Sequence, residues 1–283
     1  MRWLKSLAGG LIVAVGLYYT AGAYILRYRL DPLLFPSSEA VGKALAPAAT
    51  RIVGASGNEL LVHRYGEARI GCAIFFPGQH GELASYQETL FRKLVDAGVA
   101  VFAVSYPGQD GAAGAAALRE IPELSRRAIL SVMQDCAPHR TAVLGRSLGA
   151  FVAVYASAGT SPAGLVLDST APTLSSAIAA RIRSRWYLRP LALLPVRTLL
   201  QQDYSMAAAL AHLLDVTVVV FQGTADQETP IRDLSGAGIL PANVQLVPVA
   251  GGGHSDTFRL ALNTYVQVVL RLIRAQRPVA KTS

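Results

Sequence analysis

The sequence predicts an α/β fold: a mostly parallel sheet flanked by helices, carrying a small helical lid and preceded by an N-terminal transmembrane or signal-anchor helix. Three observations lead there. Short, continuous apolar runs alternate with helical stretches, which indicates a parallel sheet covered on both faces. Nearly fifty residues separate the run ending at Leu167 from the run starting at Val216, far more than a usual connection. Helical periodicity in Ala177–Leu188 and Ser205–Leu214 turns that insertion into a lid. Finally, Leu7 to Leu26 is uncharged over 20 residues, matching the roughly 20 needed to cross a bilayer's hydrocarbon core.

The elements follow in order. Residues 1–30 form the anchor, with Trp3, Tyr18, Tyr19 and Tyr24 placed for the interfaces. A cleaved signal peptide is the rival reading, with Arg2 and Lys5 as its basic start and Ala21-Gly22-Ala23 as its cleavage site. The apolar continuation Tyr24-Ile25-Leu26, then Arg27 and Arg29, favours an uncleaved anchor. Positive charge at both ends leaves its orientation open. Residues 31–48, with prolines and serines, read as a linker. The domain runs over 49–275 with the lid at about 170–213, and 276–283 as a disordered tail. Ala49–Val53 and Leu60–His63 make an antiparallel edge hairpin. Strands then follow at Cys72–Phe76, Val99–Val104, Thr141–Leu144, Leu165–Leu167, Val216–Phe221 and Val244–Val247, and helices at about 84–97, 113–135, 148–158 and 256–274.

At 283 residues the chain suits one large domain whose core stands without disulfides. Cys72, in an apolar strand, and Cys136, at a helix end, are therefore expected to be reduced packing residues. No CxxC, HExxH or EF-hand spacing occurs, so neither a metal nor a cofactor is expected. The net charge of +8 is concentrated in two segments. Residues 1–30 hold Arg2, Lys5, Arg27 and Arg29 without an acid; 170–213 hold Arg181, Arg183, Arg185, Arg189 and Arg197 against Asp203. The rest is balanced. Both segments are also rich in Leu, Trp and Tyr, which favours an anionic lipid surface over nucleic acid as a partner. A solvated arginine face is the alternative for the second. Oligomeric state is not readable.

The chemistry centres on Gly145-Arg146-Ser147-Leu148-Gly149. A β-prone run precedes it and a long apolar run follows, so Ser147 sits at a sharp strand-to-helix turn, a nucleophile elbow. The glycines are needed because the flanks pack too closely for a Cβ. A hydroxyl is a weak nucleophile until a base takes its proton, which imidazole does near neutral pH. Functional residues of a parallel sheet sit on loops leaving the C-terminal strand ends. His63, His139 and His212 lie elsewhere, in an edge strand, before the elbow strand and in a lid helix. His80 and His254 follow strands at the right edge, and His254 lies in a glycine-rich loop before the last helix. Asp226, directly after a strand, completes the order Ser147, Asp226, His254 as the acid that holds the histidine tautomer. Glu228 and Asp168 are fallback acids. The oxyanion hole is expected from the backbone N–H groups of Leu148 and Gln79, with Gly78 permitting close approach.

These residues resemble the α/β-hydrolase superfamily over nearly all of 50–275, and more closely its membrane-anchored branch of small serine hydrolases, sometimes classed with serine aminopeptidase-like domains. The elbow and Gly223-Thr224-Ala225-Asp226 stand as they do in that branch, and Leu194-Pro195-Val196-Arg197 looks like its lid. Ser105-Tyr106-Pro107-Gly108 takes the place of a Tyr-Arg-Gly motif. Pro77 replaces the usual histidine before Gly78, and Gln79 an asparagine; backbone donation survives both changes. The resemblance implies a single N-terminal anchor and ester, thioester or amide hydrolysis. The reading drawn from residues and resemblance together is a serine hydrolase of lipophilic small-molecule acyl substrates. A peptidase is the alternative; it needs an acid for the substrate amine, and the lid offers only Asp203. The third is a non-catalytic, membrane-tethered binding domain.

Overall fold

The structure, a computed structural model, describes residues 2–37, 49–81, 83–236 and 240–275. Eight strands form one sheet: β1 (Ala49–Val53), β2 (Glu59–Tyr65), β3 (Gly71–Phe76), β4 (Val99–Ser105), β5 (Thr141–Arg146), β6 (Gly164–Asp168), β7 (Val218–Gly223) and β8 (Val244–Val249). Their order is β1-β2-β4-β3-β5-β6-β7-β8. β1 and β2 pair antiparallel, β2 joins β4 antiparallel, and every later pairing is parallel.

The strand sequences explain the layering. Residues along β3, β4, β6 and β7 are buried throughout, as a sheet covered on both faces requires. Alternation then divides one strand between two cores. Cys72, Ile74 and Phe76 point into one cluster. That cluster is closed by α3 (Ile121–Asp135), α4 (Leu148–Ser157) and the lid helix α5 (Leu174–Ser184). Ala73 and Phe75 point into the other, closed by Leu90, Phe91 and Leu94 and by α6 (Leu262–Arg274). Before the sheet stand α1 (Arg2–Tyr28) and α2 (Leu30–Leu34). Within α1, the 22 residues Leu7–Tyr28 are long and apolar enough to cross a membrane, with a mean hydropathy of 1.6 over their most apolar 18.

The differences from expectation are instructive. α3 starts at Ile121, not 113: Gly111 and Gly114 take left-handed φ of 87° and 95°, which interrupts the alanine-rich run, and Pro122 then opens the helix. Helix 256–274 is split into Thr257–Leu260 and α6. His212 lies in a turn after the short helix Met206–Leu210. The start of the 31–48 segment is not a linker: α2 follows α1 at once, and Phe35 is buried against Tyr106 with ring centres 5.1 Å apart. Residues 38–48 and the 276–283 tail lie outside the described residues.

The cysteines are also corrected. Cys72 at the start of β3 and Cys136 just after α3 form a disulfide, their Cα atoms 5.9 Å apart. Both are apolar in surroundings, as predicted. What the sequence does not show is that α3 ends beside the first residues of β3, 64 residues away.

Candidate active site

β5 ends in the elbow. Ser147 has φ 52° and ψ −118°, a conformation a non-glycine residue holds only when its surroundings impose it. Its N–H donates to the Asp168 carbonyl at 2.8 Å. A Cβ on Gly145 would lie 2.5 Å from the Gly149 carbonyl oxygen, and one on Gly149 only 2.1 Å from that of Phe76. Both neighbours are backbone, so neither glycine can be replaced without moving the elbow.

Three loops converge on that serine. The Ser147 hydroxyl lies 2.9 Å from His254 Nε2, and His254 Nδ1 lies 3.0 Å from Asp226 Oδ2. This arrangement has Oγ–H donating to Nε2 and Nδ1–H donating to the carboxylate. Asp226 is buried, yet accepts from the N–H groups of Glu228 (2.9 Å) and Thr229 (2.8 Å) and from the Thr229 hydroxyl (2.6 Å). Burial pushes its carboxyl up. The hydrogen bond and charge of His254, with the Thr229 bonds, outweigh burial and hold it below its ordinary value.

The other candidates are placed elsewhere. Asp168 faces Arg146 at 3.4 Å; Glu228 pairs with Arg181 and Arg185, each at 3.2 Å. His80 is exposed, and His63 is buried beside the Ser105 hydroxyl, where desolvation lowers its pKa. Asp203 accepts from the N–H and hydroxyl of Ser175 at 2.8 and 2.7 Å, tying down the start of α5.

Leu148 begins α4, where an N–H has no partner within its own helix. Across from it lies the loop after β3. A Cβ on Gly78 would touch that of Ser147 at 3.4 Å, so this loop runs against the elbow. Its carbonyls are pinned from below, Pro77 by the Tyr106 hydroxyl at 3.1 Å and Gln79 by the Gln109 amide at 3.1 Å. The Gln79 side chain donates to the Leu33 carbonyl and accepts from Arg181 at 2.9 Å. Gln79 thus ties the loop to α2 and to the lid.

Sequence reasoning missed two participants. Arg146 carried no signal beyond its place in the pentapeptide. It donates to the His254 carbonyl at 2.7 Å and to the Tyr86 hydroxyl at 2.6 Å, and its guanidinium lies 5.6 Å from the centre of the Phe258 ring. It therefore fixes the histidine loop from behind. Its counter-ion Asp168 is fully buried, and burial pushes that carboxyl up to about 6 against the pull of Arg146 and the Ser169 hydroxyl. The second is Leu34 of α2, a neighbour of Ser147 in the cavity described next.

The raised Asp168 value has a measurable consequence. Between ~pH 4 and ~pH 6 the native chain holds a proton there that the unfolded chain releases. Its contribution to stability falls as pH rises through that window and is constant above it, by about 3 kcal/mol in total at 1.36 kcal/mol per unit. Asp226 contributes in the opposite sense, losing stability as pH falls, and does so in any variant that retains it. The stability difference between wild type and Asp168→Asn in urea is therefore expected to shift with pH across this window. A difference that is flat in pH would show Asp168 ionised throughout.

Ser147 faces two spaces. One, about 60 Å³, is lined by Leu34, Leu148, Phe151, Leu174, Ala177 and Ile178. The other, about 310 Å³, is polar and lies among Tyr86, Arg146, Arg181, Arg185 and Arg259. The Arg181 and Arg185 pairs to Glu228 latch the lid between them. The apolar space has room for only a few waters, so a long chain enters only if α5 moves.

Comparison with known proteins agrees with this architecture. Residues 73–261 match the model of the Alpha/beta hydrolase family. The chain is 29% identical over 242 residues to an uncharacterised Mycobacterium tuberculosis protein, Rv2307c, covering 79% of each chain. The fold is similar to that of the Pyrococcus furiosus esterase Pf2001, with a TM-score of 0.65 at 15% identity over 85% of this chain and 97% of that one. It is also similar to the esterase EaEST of Exiguobacterium antarcticum, with a TM-score of 0.58 at 14% identity over 81% of this chain and 100% of that one.

Proposed function

Because the chain belongs to the alpha/beta hydrolase family, matched over residues 73–261, we propose that it is a membrane-associated serine hydrolase cleaving carboxylic esters or thioesters of lipophilic acyl groups. The observation that carries this reading is the unbroken hydrogen-bonded run from Ser147 through His254 to Asp226. His254 takes the hydroxyl proton as Oγ attacks the acyl carbon. The oxyanion is received by the N–H groups of Leu148 and Gln79; one such donor contributes about 3 to 4 kcal/mol to the transition state. His254 then gives the proton to the departing alcohol or thiol, leaving an acyl-Ser147 ester. A water, deprotonated by the same imidazole, releases the acid. Asp226 holds the tautomer throughout, and Arg146 positions the loop that carries the base.

An amide-cleaving aminopeptidase is less well supported. The lid acid it requires, Asp203, is committed to Ser175, and Glu228 is neutralised by two arginines. A panel of acyl and aminoacyl nitrophenyl substrates separates the readings: acyl esters are expected to be the better substrates, and a preference for a free α-amine would overturn the assignment.

The two spaces also suggest how a substrate lies. The apolar one suits the acyl chain and the cationic one an anionic leaving group, such as a phosphorylated alcohol. For esters of one fatty acid with a neutral alcohol or its phosphate, Arg259→Ala is expected to lower kcat/KM for the phosphate ester about tenfold relative to the neutral one, the size of one lost charge-assisted hydrogen bond. Equal effects on both would remove the anion preference.

The disulfide supports a reading of the site's compartment. Such bonds persist in oxidising surroundings, so the catalytic domain is proposed to face the extracytoplasmic side, held by α1 as an uncleaved anchor.

A further inference from the structure

The anchor and the lid are in contact along most of one leaflet's depth. Tyr19, Gly22, Ala23 and Leu26 are the residues of the α1 span that are not exposed, and their spacing of three, four and seven marks one helix face. That face meets the lid. A Cβ on Gly22 would lie 2.7 Å from Leu191 Cδ2, so a larger residue there would push the Leu191 side chain aside. The Tyr18 hydroxyl donates to the Tyr187 carbonyl, the Tyr19 hydroxyl to the Pro190 carbonyl at 2.7 Å, and the Gln201 amide to the Arg27 carbonyl at 2.8 Å.

This contact conflicts with a lid standing clear in water. At 1.5 Å per residue, the span Leu7–Tyr28 is about 33 Å long, enough for a hydrocarbon core of about 30 Å. Tyr18, ten residues before its end, then lies about 15 Å deep. If everything touching the lid stayed dry, only the stretch before Tyr18, about 16 Å of helix, would remain to cross the bilayer. The lid surface resolves the conflict. Trp186 and Leu193 are each 83% exposed and Tyr187 is 54% exposed, a cost in water that immersion removes. Arg183, Arg189 and Arg197 flank them in sequence, all exposed, with stems that snorkel toward the headgroups. The two tyrosine hydroxyls satisfy carbonyls of a turn, at Tyr187, and of a short 3₁₀ helix, at Pro190, which is what backbone without a continuous α-helix requires at membrane depth.

We infer that α1 and lid residues 186–193 form one wedge immersed in a single leaflet of the membrane. α2 continues directly from the anchor to Leu34 beside Ser147. The apolar space beside Ser147, lined by Leu34 of α2 and by α5, then lies next to the wedge, so an acyl chain admitted by a movement of α5 comes from the leaflet rather than from water. The inference rests on the membrane reading of α1 above, but not on catalysis.

The sequence supplies its own probes, since Trp3 and Trp186 are the chain's two tryptophans. The full-length protein is reconstituted in vesicles of phosphatidylcholine and phosphatidylglycerol, with and without brominated acyl chains. In Trp3→Phe, Trp186 is expected to lose most of its emission to bromolipid and to be shielded from acrylamide. In Trp186→Phe, quenching of Trp3 by bromolipid reports insertion of α1. Trp3 quenched, with Trp186 open to acrylamide and blind to bromolipid, overturns the wedge and leaves the anchor standing. Neither quenched overturns both.

Discussion

Ser147→Ala is expected to lower kcat by about 10⁴- to 10⁶-fold, with His254→Ala in the same range and the double variant little worse, because the residues act as one unit. The fold should not contribute to that loss. Alanine and serine share the same steric limits at φ 52°, and the Ser147 N–H that binds the Asp168 carbonyl is backbone. Unfolding midpoints of wild type and variant should therefore coincide while their rates diverge. A drop of only a few-fold would show that hydrolysis proceeds without this nucleophile, and the roles given to His254 and Asp226 would fall with it.

Removing the disulfide is expected to cost about 4 kcal/mol, by the chain-entropy relation for a bridge between residues 64 apart. Cys72→Ala with Cys136→Ala should lower the unfolding free energy measured in urea by that amount, and a reductant should do the same to wild type. The bond ties the first residues of β3 to the end of α3, both far from Ser147, so activity per folded molecule should survive. Wild type that is indifferent to reductant, with two titratable thiols, would restore the reduced cysteines expected from sequence. It would also remove the reason to place the domain outside the cytoplasm.

What the sequence shows and hides divides along physical lines. Strands β3 to β7 are legible because burial on both faces leaves continuous apolar runs. The elbow is legible because its two glycines answer a backbone clash at 2.1 to 2.5 Å, and strand ends predict where Asp226 and His254 stand. Contacts between distant segments leave no such trace. Arg146 and Asp168 pair only because β5 and β6 are adjacent and in register there. Leu34 reaches the site from a segment whose prolines and serines read as linker. The packing face of α1, Tyr19 to Leu26, looks like any apolar helical stretch until Leu191 is seen against Gly22. The start of α3 fails for a local reason instead, since alanine-rich composition favoured helix where glycine backbone geometry forbids it.

The central claim is that Ser147 is an activated nucleophile. A fluorophosphonate probe tests it most directly, because the probe bonds only to a serine whose proton a base can remove. Wild type should be labelled, with the adduct mapped to the peptide containing Ser147, and Ser147→Ala should not. Equal labelling of the two proteins, or an adduct on another residue, would contradict the account.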